Sequence, residues 1–235
     1  MELEIVCTSI ESVEIATDNG ATRIELCMNL SSGGLTPTAG FFALAKKATS
    51  LPIFPLIRAR EGSFAYSEME KQVMFDDMKR LLDMGADGLV IGALEPSGGV
   101  DFDFAERAMD QCAGVPMTFH RAFDECLYPD ETLKTLKKMG FDRVLTAGCA
   151  PTAQDGLENL QRFLSLDGVP TILPGGGIRF KTAETLLEMG FRELHAAPQV
   201  TISQHPQQQL FASDYQRVDG DEVLRISTLM LAMER

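Results

Sequence analysis

The segment Met139-Gly140-Phe141-Asp142-Arg143-Val144-Leu145-Thr146 returns farther along the chain as Met189-Gly190-Phe191-Arg192-Glu193-Leu194-His195-Ala196. In each, a helix stop leads into a short apolar run. A glycine just past a helical pattern takes the left-handed conformation that ends the helix. Gly20-Ala21 and Met84-Gly85-Ala86 are lead-ins of the same kind. A second kind is an apolar residue followed by proline, at Leu51-Pro52, Val115-Pro116 and Val169-Pro170. Proline suits the first residue of a strand, where no ladder donor is needed. The two kinds alternate strictly, Gly, Pro, Gly, Pro, Gly, Pro, Gly, and a strand-like run follows each.

With residues 3–7 ahead of them, the runs 23–27, 53–58, 88–91, 117–121, 143–146, 171–173 and 193–196 make eight strands. Helical patterns lie between. Ser67 and Glu70 have capping-box spacing, and Met69, Val73, Met78 and Leu82 mark one face of the helix that follows. Leu133 with Leu136, and Leu186 with Met189, mark two more. From Cys7 to His195, seven steps average about 27 residues each, close to the unit length of a (β/α)8 TIM barrel. Parallel strands need such crossovers. A doubly wound open sheet is the runner-up, and the alternation of lead-ins favours closure, because barrel interiors layer odd and even strands separately. The expected organisation is one domain, with eight strand–helix units over 1–198, a polar loop over 199–220 that includes Gln207, Gln208 and Gln209, and a helix over 221–235. Val223, Ile226, Met230 and Met233 share a face of that helix.

The 235 residues carry 34 acidic and 21 basic side chains, a formal charge of −13. Nucleic acid, whose binding needs clustered Lys and Arg, is excluded as an expected partner, and so is an anionic membrane surface. The start lacks a basic region followed by a long apolar one, so no secretory leader is expected. The uncharged stretches 26–45 and 194–213 are broken by Gly, Pro, Ser, Asn or Gln and do not read as membrane spans. Five cysteines without a Cys-x-x-Cys pair point to reduced thiols in a cytosol.

In this fold the active site lies at the C-terminal ends of the strands. Strand parity puts Ile24 and Leu26 toward the helices and Glu25 and Cys27 inward. Phe54, Leu56 and Arg58 share one face of the third strand, as Thr118 and His120 do in the fifth. A carboxylate inside a barrel is costly unless paired, and Arg58 is the expected partner of Glu25. Gly175, Gly176 and Gly177, with the helix start that follows them, read either as an anion site or as a tight turn. Gly33-Gly34 reads as a turn. Cys7 keeps step with Leu3 and Ile5 and reads as core. His195 reads either as a site residue or as a satisfied core histidine, and His205 as exposed loop. Cys112 on a helix, and Cys126 and Cys149 in loops, carry no assigned role. What converges is Glu25, Arg58, His120, Arg121 and Asp124, a set for gripping a polar or anionic small molecule, with His120 as acid or base and Arg58 stabilising negative charge.

The chain resembles the CutC family, named for copper homeostasis. The resemblance rests on Glu4-Ile5-Val6-Cys7, Gly20-Ala21-Thr22-Arg23-Ile24-Glu25-Leu26-Cys27, Gly33-Gly34-Leu35-Thr36-Pro37, Ile57-Arg58-Ala59-Arg60-Glu61-Gly62, Thr118-Phe119-His120-Arg121-Ala122-Phe123-Asp124, Arg143-Val144-Leu145-Thr146 and Pro174-Gly175-Gly176-Gly177-Ile178. It implies a cytoplasmic TIM-barrel homo-oligomer in copper handling. Copper would be bound as Cu(I) through Cys27, with Cys7 the weaker second ligand. The chain departs from the family pattern at Glu61, where the family usually has glycine, and at Ala196-Ala197-Pro198, where Ser-Ala is common after the histidine. The residues themselves suggest an alternative. This is an enzyme acting on a phosphorylated or anionic small molecule, with Glu25, Arg58, His120 and Asp124 as catalytic candidates and Arg60, Arg121, Gly175, Gly176 and Gly177 holding the anion.

Overall fold

The computed structural model describes residues 1–203 and 214–234. Eight strands fall on the expected runs: β1 (Glu2–Cys7), β2 (Arg23–Leu26), β3 (Ile53–Pro55), β4 (Leu89–Ile91), β5 (Met117–Phe119), β6 (Arg143–Thr146), β7 (Thr171–Pro174) and β8 (Glu193–Ala196). The crossovers are α1 (Ile10–Asp18), α2 (Ala39–Ala48), α3 (Glu68–Asp83), α4 (Phe102–Gln111), α5 (Pro129–Met139), α6 (Leu157–Leu164) and α7 (Phe180–Glu188). Gly140 ends α5 at φ 101°, and its N–H bonds the Leu136 and Lys137 carbonyls. Gly190 does the same service after α7 at φ 107°.

All eight strands run parallel, in the orders β3-β2-β1-β8 and β4-β5-β6-β7. The two sheets meet at a parallel bridge between Leu56 and Val90, where Ile57 N–H donates to the Val90 carbonyl at 2.8 Å. On the other side β7 lies against β8. The ring is a (β/α)8 barrel in a single domain. Strand parity divides the core as expected. Leu3, Ile5, Cys7, Ile24 and Leu26 pack outward into the layer shared with the helices. Val6, Cys27, Phe54, Leu56 and Val90 form a separate cluster inside the barrel.

Two expectations are corrected. Residues 199–220 are not all loop: β9 (Gln199–Ile202) pairs antiparallel with β10 (Tyr215–Val218) before α8 (Gly220–Met233). The polar composition hides these strands, whose residues are mostly half-buried or exposed. The expected loop residues His205, Gln207, Gln208 and Gln209 lie outside the described residues. In α3 the buried face is Lys71, Met74, Phe75, Met78 and Leu81, whereas Met69 and Val73 are exposed. A lysine takes the inner position because Asp101 meets its ammonium at 2.6 Å. The Ser67–Glu70 capping box forms as expected. On α8, Val223, Ile226 and Met230 are buried and Met233 is exposed.

The N-terminal end of the barrel interior is filled by charge. Glu193 on β8 meets Arg143 on β6 at 2.6 Å and Arg23 on β2 at 3.2 Å. These are even-numbered strands, which share a layer in such barrels. The fourth even strand gives up its volume at Gly88, where a Cβ would stand 2.3 Å from the Phe54 ring. Arg23 also binds Glu4 of β1 through Nε at 2.5 Å, and both side chains are buried. Removing one partner of such a pair strands the other charge, at about 3–5 kcal/mol. Arg23→Met should therefore lower stability by about 3–5 kcal/mol in urea unfolding. Glu193→Gln, at a less buried carboxylate, should cost clearly less. Equal losses would mean that the Arg23–Glu4 contact is not the one that matters.

Candidate functional site

Two residues beyond that plug on the same even strands, Glu25, Leu145 and His195 line a cavity of about 260 Å³ at the C-terminal mouth of the barrel. Val6, Leu56, Phe64 and Ala197 contribute apolar wall, and Arg58, His120, Arg121, Gly176 and Gly177 contribute polar wall. The site thus draws on at least five strands or the loops just after them.

Behind the floor lies a buried triad. Glu4 Oε1 is 2.7 Å from His195 Nδ1, and Glu4 Oε2 accepts from Arg23 Nε. One donor atom from each of Glu4, Glu25 and His195 falls within 4.8 Å of the others, the only such group of possible metal ligands among the described residues. Burial alone would raise the Glu4 carboxyl, but the Arg23 guanidinium and the His195 bond hold it down at about 2. Glu25 has no such bond. Burial pushes it up to about 7, aided by the Glu4 charge and opposed by His195 and Arg23. Burial also works against a charged His195, yet Glu25 and Glu4 together raise its pKa.

The expected Glu25–Arg58 pair does not form. Arg58 donates instead to the Ser32 and Gly34 carbonyls at 2.8 and 3.0 Å and to the Gly62 carbonyl at 2.8 Å, and its guanidinium stacks 4.9 Å from the Phe64 ring centre. It is thus a clamp on two loops, and its charge faces the cavity without touching the carboxylate. His120 Nδ1 accepts the Ala122 N–H at 3.1 Å. That bond assigns the ring proton to Nε2. Burial, with the Arg58 charge, takes its pKa down to about 3, so the ring is neutral. Gly92 makes room for it, since a Cβ there would stand 2.4 Å from Nδ1.

Glu25 Oε2, Arg58 Nε and His120 Nε2 are buried and make no hydrogen bond among the described residues. Their residues are 5%, 4% and 4% exposed. An unpaired buried polar atom costs about 1–3 kcal/mol.

Asp124 does not line the cavity. It accepts from Thr146 Oγ1, from the Ala147 and Cys149 N–H groups, and from Arg121 Nε at 2.7 Å. It aims Arg121 and folds the loop after β6. Arg60 lies away from the cavity, paired with Glu70 at 2.5 Å. Gly175 sits behind the wall, where a Cβ would stand 2.4 Å from Leu145 and 3.0 Å from His195. The expected helix start is taken: the Phe180 N–H of α7 donates to Glu222 of α8 at 2.6 Å. The N–H groups of Gly176 and Gly177 have no partner among the described residues. Cys7 and Cys27 face opposite sides of the sheet, and Cys7 Sγ contacts the Ser12 carbonyl at 3.4 Å. Burial pushes both thiols up, with Glu25 adding to it. The sequence reading missed Arg23 and Glu4 as partners in the site. Their signal was present, because Glu4 and Arg23 hold inward parity on their strands.

The CutC family model matches residues 1–200. A human protein named copper homeostasis protein cutC homolog is 41% identical over 201 residues, covering 85% of this chain and 74% of its own. A family protein CutC of Porphyromonas gingivalis is 41% identical over 199 residues, 84% of this chain and 80% of its own. Among solved structures, CutC of Streptococcus agalactiae superposes with a TM-score of 0.78 at 24% identity, over 83% of this chain and 97% of that one. The 3-hexulose-6-phosphate synthase of Salmonella typhimurium reaches 0.60 at 16% identity, over 99% and 100%. At these identities the structural likenesses speak for the barrel fold. No helix among the described residues is long and apolar enough to cross a membrane.

The two carboxylates give stability limbs of opposite sign. A carboxyl held low when folded, as Glu4 is, contributes stability above the ordinary range and loses it as pH falls from about 4.5 to about 2. A carboxyl held high, as Glu25 is, binds its proton more tightly when folded, so stability falls as pH rises from about 4.5 to about 7. The neutral, buried His120 makes stability rise with pH over much of the same window in any variant that keeps it, so the Glu25 limb is read as a difference: in urea unfolding, the stability of the wild type relative to Glu25→Gln should fall as pH rises from about 4.5 to about 7. Superimposable profiles would contradict the buried, unpaired state of Glu25.

Proposed function

The chain belongs to the CutC family, and on that premise we propose that it works as an enzyme at the mouth of the barrel, on a small molecule carrying a phosphate or another anionic group. The observation that carries this reading is the set of buried polar atoms without partners, Glu25 Oε2, Arg58 Nε and His120 Nε2, on residues that line one cavity. Native proteins pair their buried polar groups, and a ligand supplies what these lack. Arg121 and the open N–H groups of Gly176 and Gly177 form the anion-binding side, without help from the α7 start that Glu222 occupies. His120 serves as a neutral donor through Nε2. Arg60, on this reading, contributes loop order. The five free cysteines support a reducing cytoplasmic setting.

A role in copper homeostasis is the second reading, favoured by the printed name of the human relative and by the inward face of Cys27. A shared two-thiolate centre with Cys7 does not fit, because Cu(I) needs converging thiolates, and these two thiols face opposite sides and are held protonated by burial.

Two measurements separate the readings. In an anaerobic Cu(I) competition against a chromogenic chelator, wild type and Cys27→Ser should bind alike and weakly. In a thermal-shift screen, a phosphomonoester at about 100 times its Kd should add about 2.7 kcal/mol of stability, lost in Arg121→Gln and His120→Ala. Tight Cu(I) binding abolished by Cys27→Ser would establish the copper reading, and a screen without any shift would sink the enzyme reading.

A further inference from the structure

The chemistry left open at the cavity is narrow. Among the described residues its lining holds no lysine, serine or cysteine, so none of them offers an amine for a Schiff base or a hydroxyl or thiol nucleophile. Glycoside hydrolysis by the usual route needs two carboxyl groups flanking the bond. Among the described residues Glu25 is the one carboxyl lining the cavity, since Glu4 is buried behind it and bonded at both oxygens. What lines the cavity is the Glu25 carboxyl, the His120 and His195 imidazoles, and the guanidinium groups of Arg58 and Arg121.

From this arrangement we infer that the substrate is a small α-hydroxycarbonyl compound with a phosphate or carboxylate end, and that Glu25 and His120 interconvert its carbonyl isomers by proton transfer through an enolate. The inference deepens the enzyme reading above and rests on it. Glu25 takes the proton from the carbon that bears the hydroxyl. The C–H electron pair becomes the carbon–carbon double bond, and the carbonyl pair moves onto oxygen. His120 Nε2–H donates to that oxygen, and a neutral imidazole suits a donor whose partner gains charge only during the reaction. Glu25 then returns the proton to the former carbonyl carbon, while the hydroxyl proton passes between the two oxygens along His120 Nε2. One isomer becomes the other, with nothing oxidised or reduced overall.

The surroundings fit these roles. Ala122 N–H fixes the tautomer that puts the proton on Nε2 of His120. Gly92 leaves the space that the ring occupies. The Phe64 ring lies 5.0 Å from the His120 ring and limits its tilt. His195, anchored by Glu4, has a ring nitrogen within 4.8 Å of a Glu25 oxygen. The burial that keeps Glu25 near neutrality supports its part as a base at working pH. Arg121, aimed by Asp124, and the Gly176 and Gly177 N–H groups stand where the anionic end would rest.

The test follows solvent deuterium into the α-carbon by proton NMR, with the full chain in D2O. The probes are dihydroxyacetone phosphate, ribulose 5-phosphate, hydroxypyruvate for a carboxylate end, and dihydroxyacetone with no anion. Binding of each probe is measured separately by thermal shift. Wild type should bind and deuterate at least one anionic probe above the enzyme-free rate and leave dihydroxyacetone alone. Glu25→Gln should bind that probe with exchange reduced at least 1,000-fold. Glu25→Asp, a second variant should the first misfold, should bind with exchange down at least 10-fold. His120→Gln should lower kcat at least 100-fold with KM within a few-fold, a split that a packing defect would not give. Probes that bind without exchange, or Glu25→Gln exchanging at the wild-type rate, would overturn this inference and leave the small-molecule site standing. Probes that neither bind nor exchange would overturn both.

Discussion

One carboxylate organises the interior of this barrel. Glu4 gives one oxygen to Arg23 on β2 and the other to His195 on β8, so three adjacent strands are tied by a single buried side chain. Neither charge could stay in the barrel without the other. Arg23 also reaches Glu193, which holds Arg143 on β6, and the contact spreads across the barrel. Everything at the mouth stands on this base. With Glu4 satisfied, His195 is fixed beside Glu25, and with Arg23 committed below, Glu25 has no cation of its own. The unpaired state of Glu25 is thus a consequence of where its neighbours' bonds go.

The eight strands were legible because two local signals agree. Glycine and proline mark where helices stop and strands start, and the two-residue period says which side chains face inward. Those rules turn Glu25 into the barrel and set Arg58 and His120 at the ends of their strands. The pairing of Glu25 with Arg58 was not legible, because Arg58 is claimed by carbonyls of two loops whose closure no local pattern reports. The partners of Asp124 are not legible for the same reason, since they come from the end of β6 and the loop after it. The α3 face was misassigned because a lysine sits in it, and only Asp101, from the next helix start, makes that position tolerable. The β9–β10 pair escaped because exposed strands lack the alternation that marks a half-buried one.

The cysteines show how a family name and a geometry can pull apart. The motif residues are present in order, and the family assignment follows from them over residues 1–200. Yet the same parity that puts Cys27 inside puts Cys7 outside, and their strands are neighbours. The conspicuous chemistry is instead a ring of polar groups at the strand ends, set against apolar wall and closed off below by salt bridges.

That closed end also constrains traffic. With Arg23, Phe54, Arg143 and Glu193 filling the barrel below the floor, the cavity is a blind well rather than a passage. Whatever enters by the mouth must leave by the mouth. Release of one molecule has to precede capture of the next. Such a well favours one-in, one-out conversion of a single compound over reactions that need two partners to arrive from different sides.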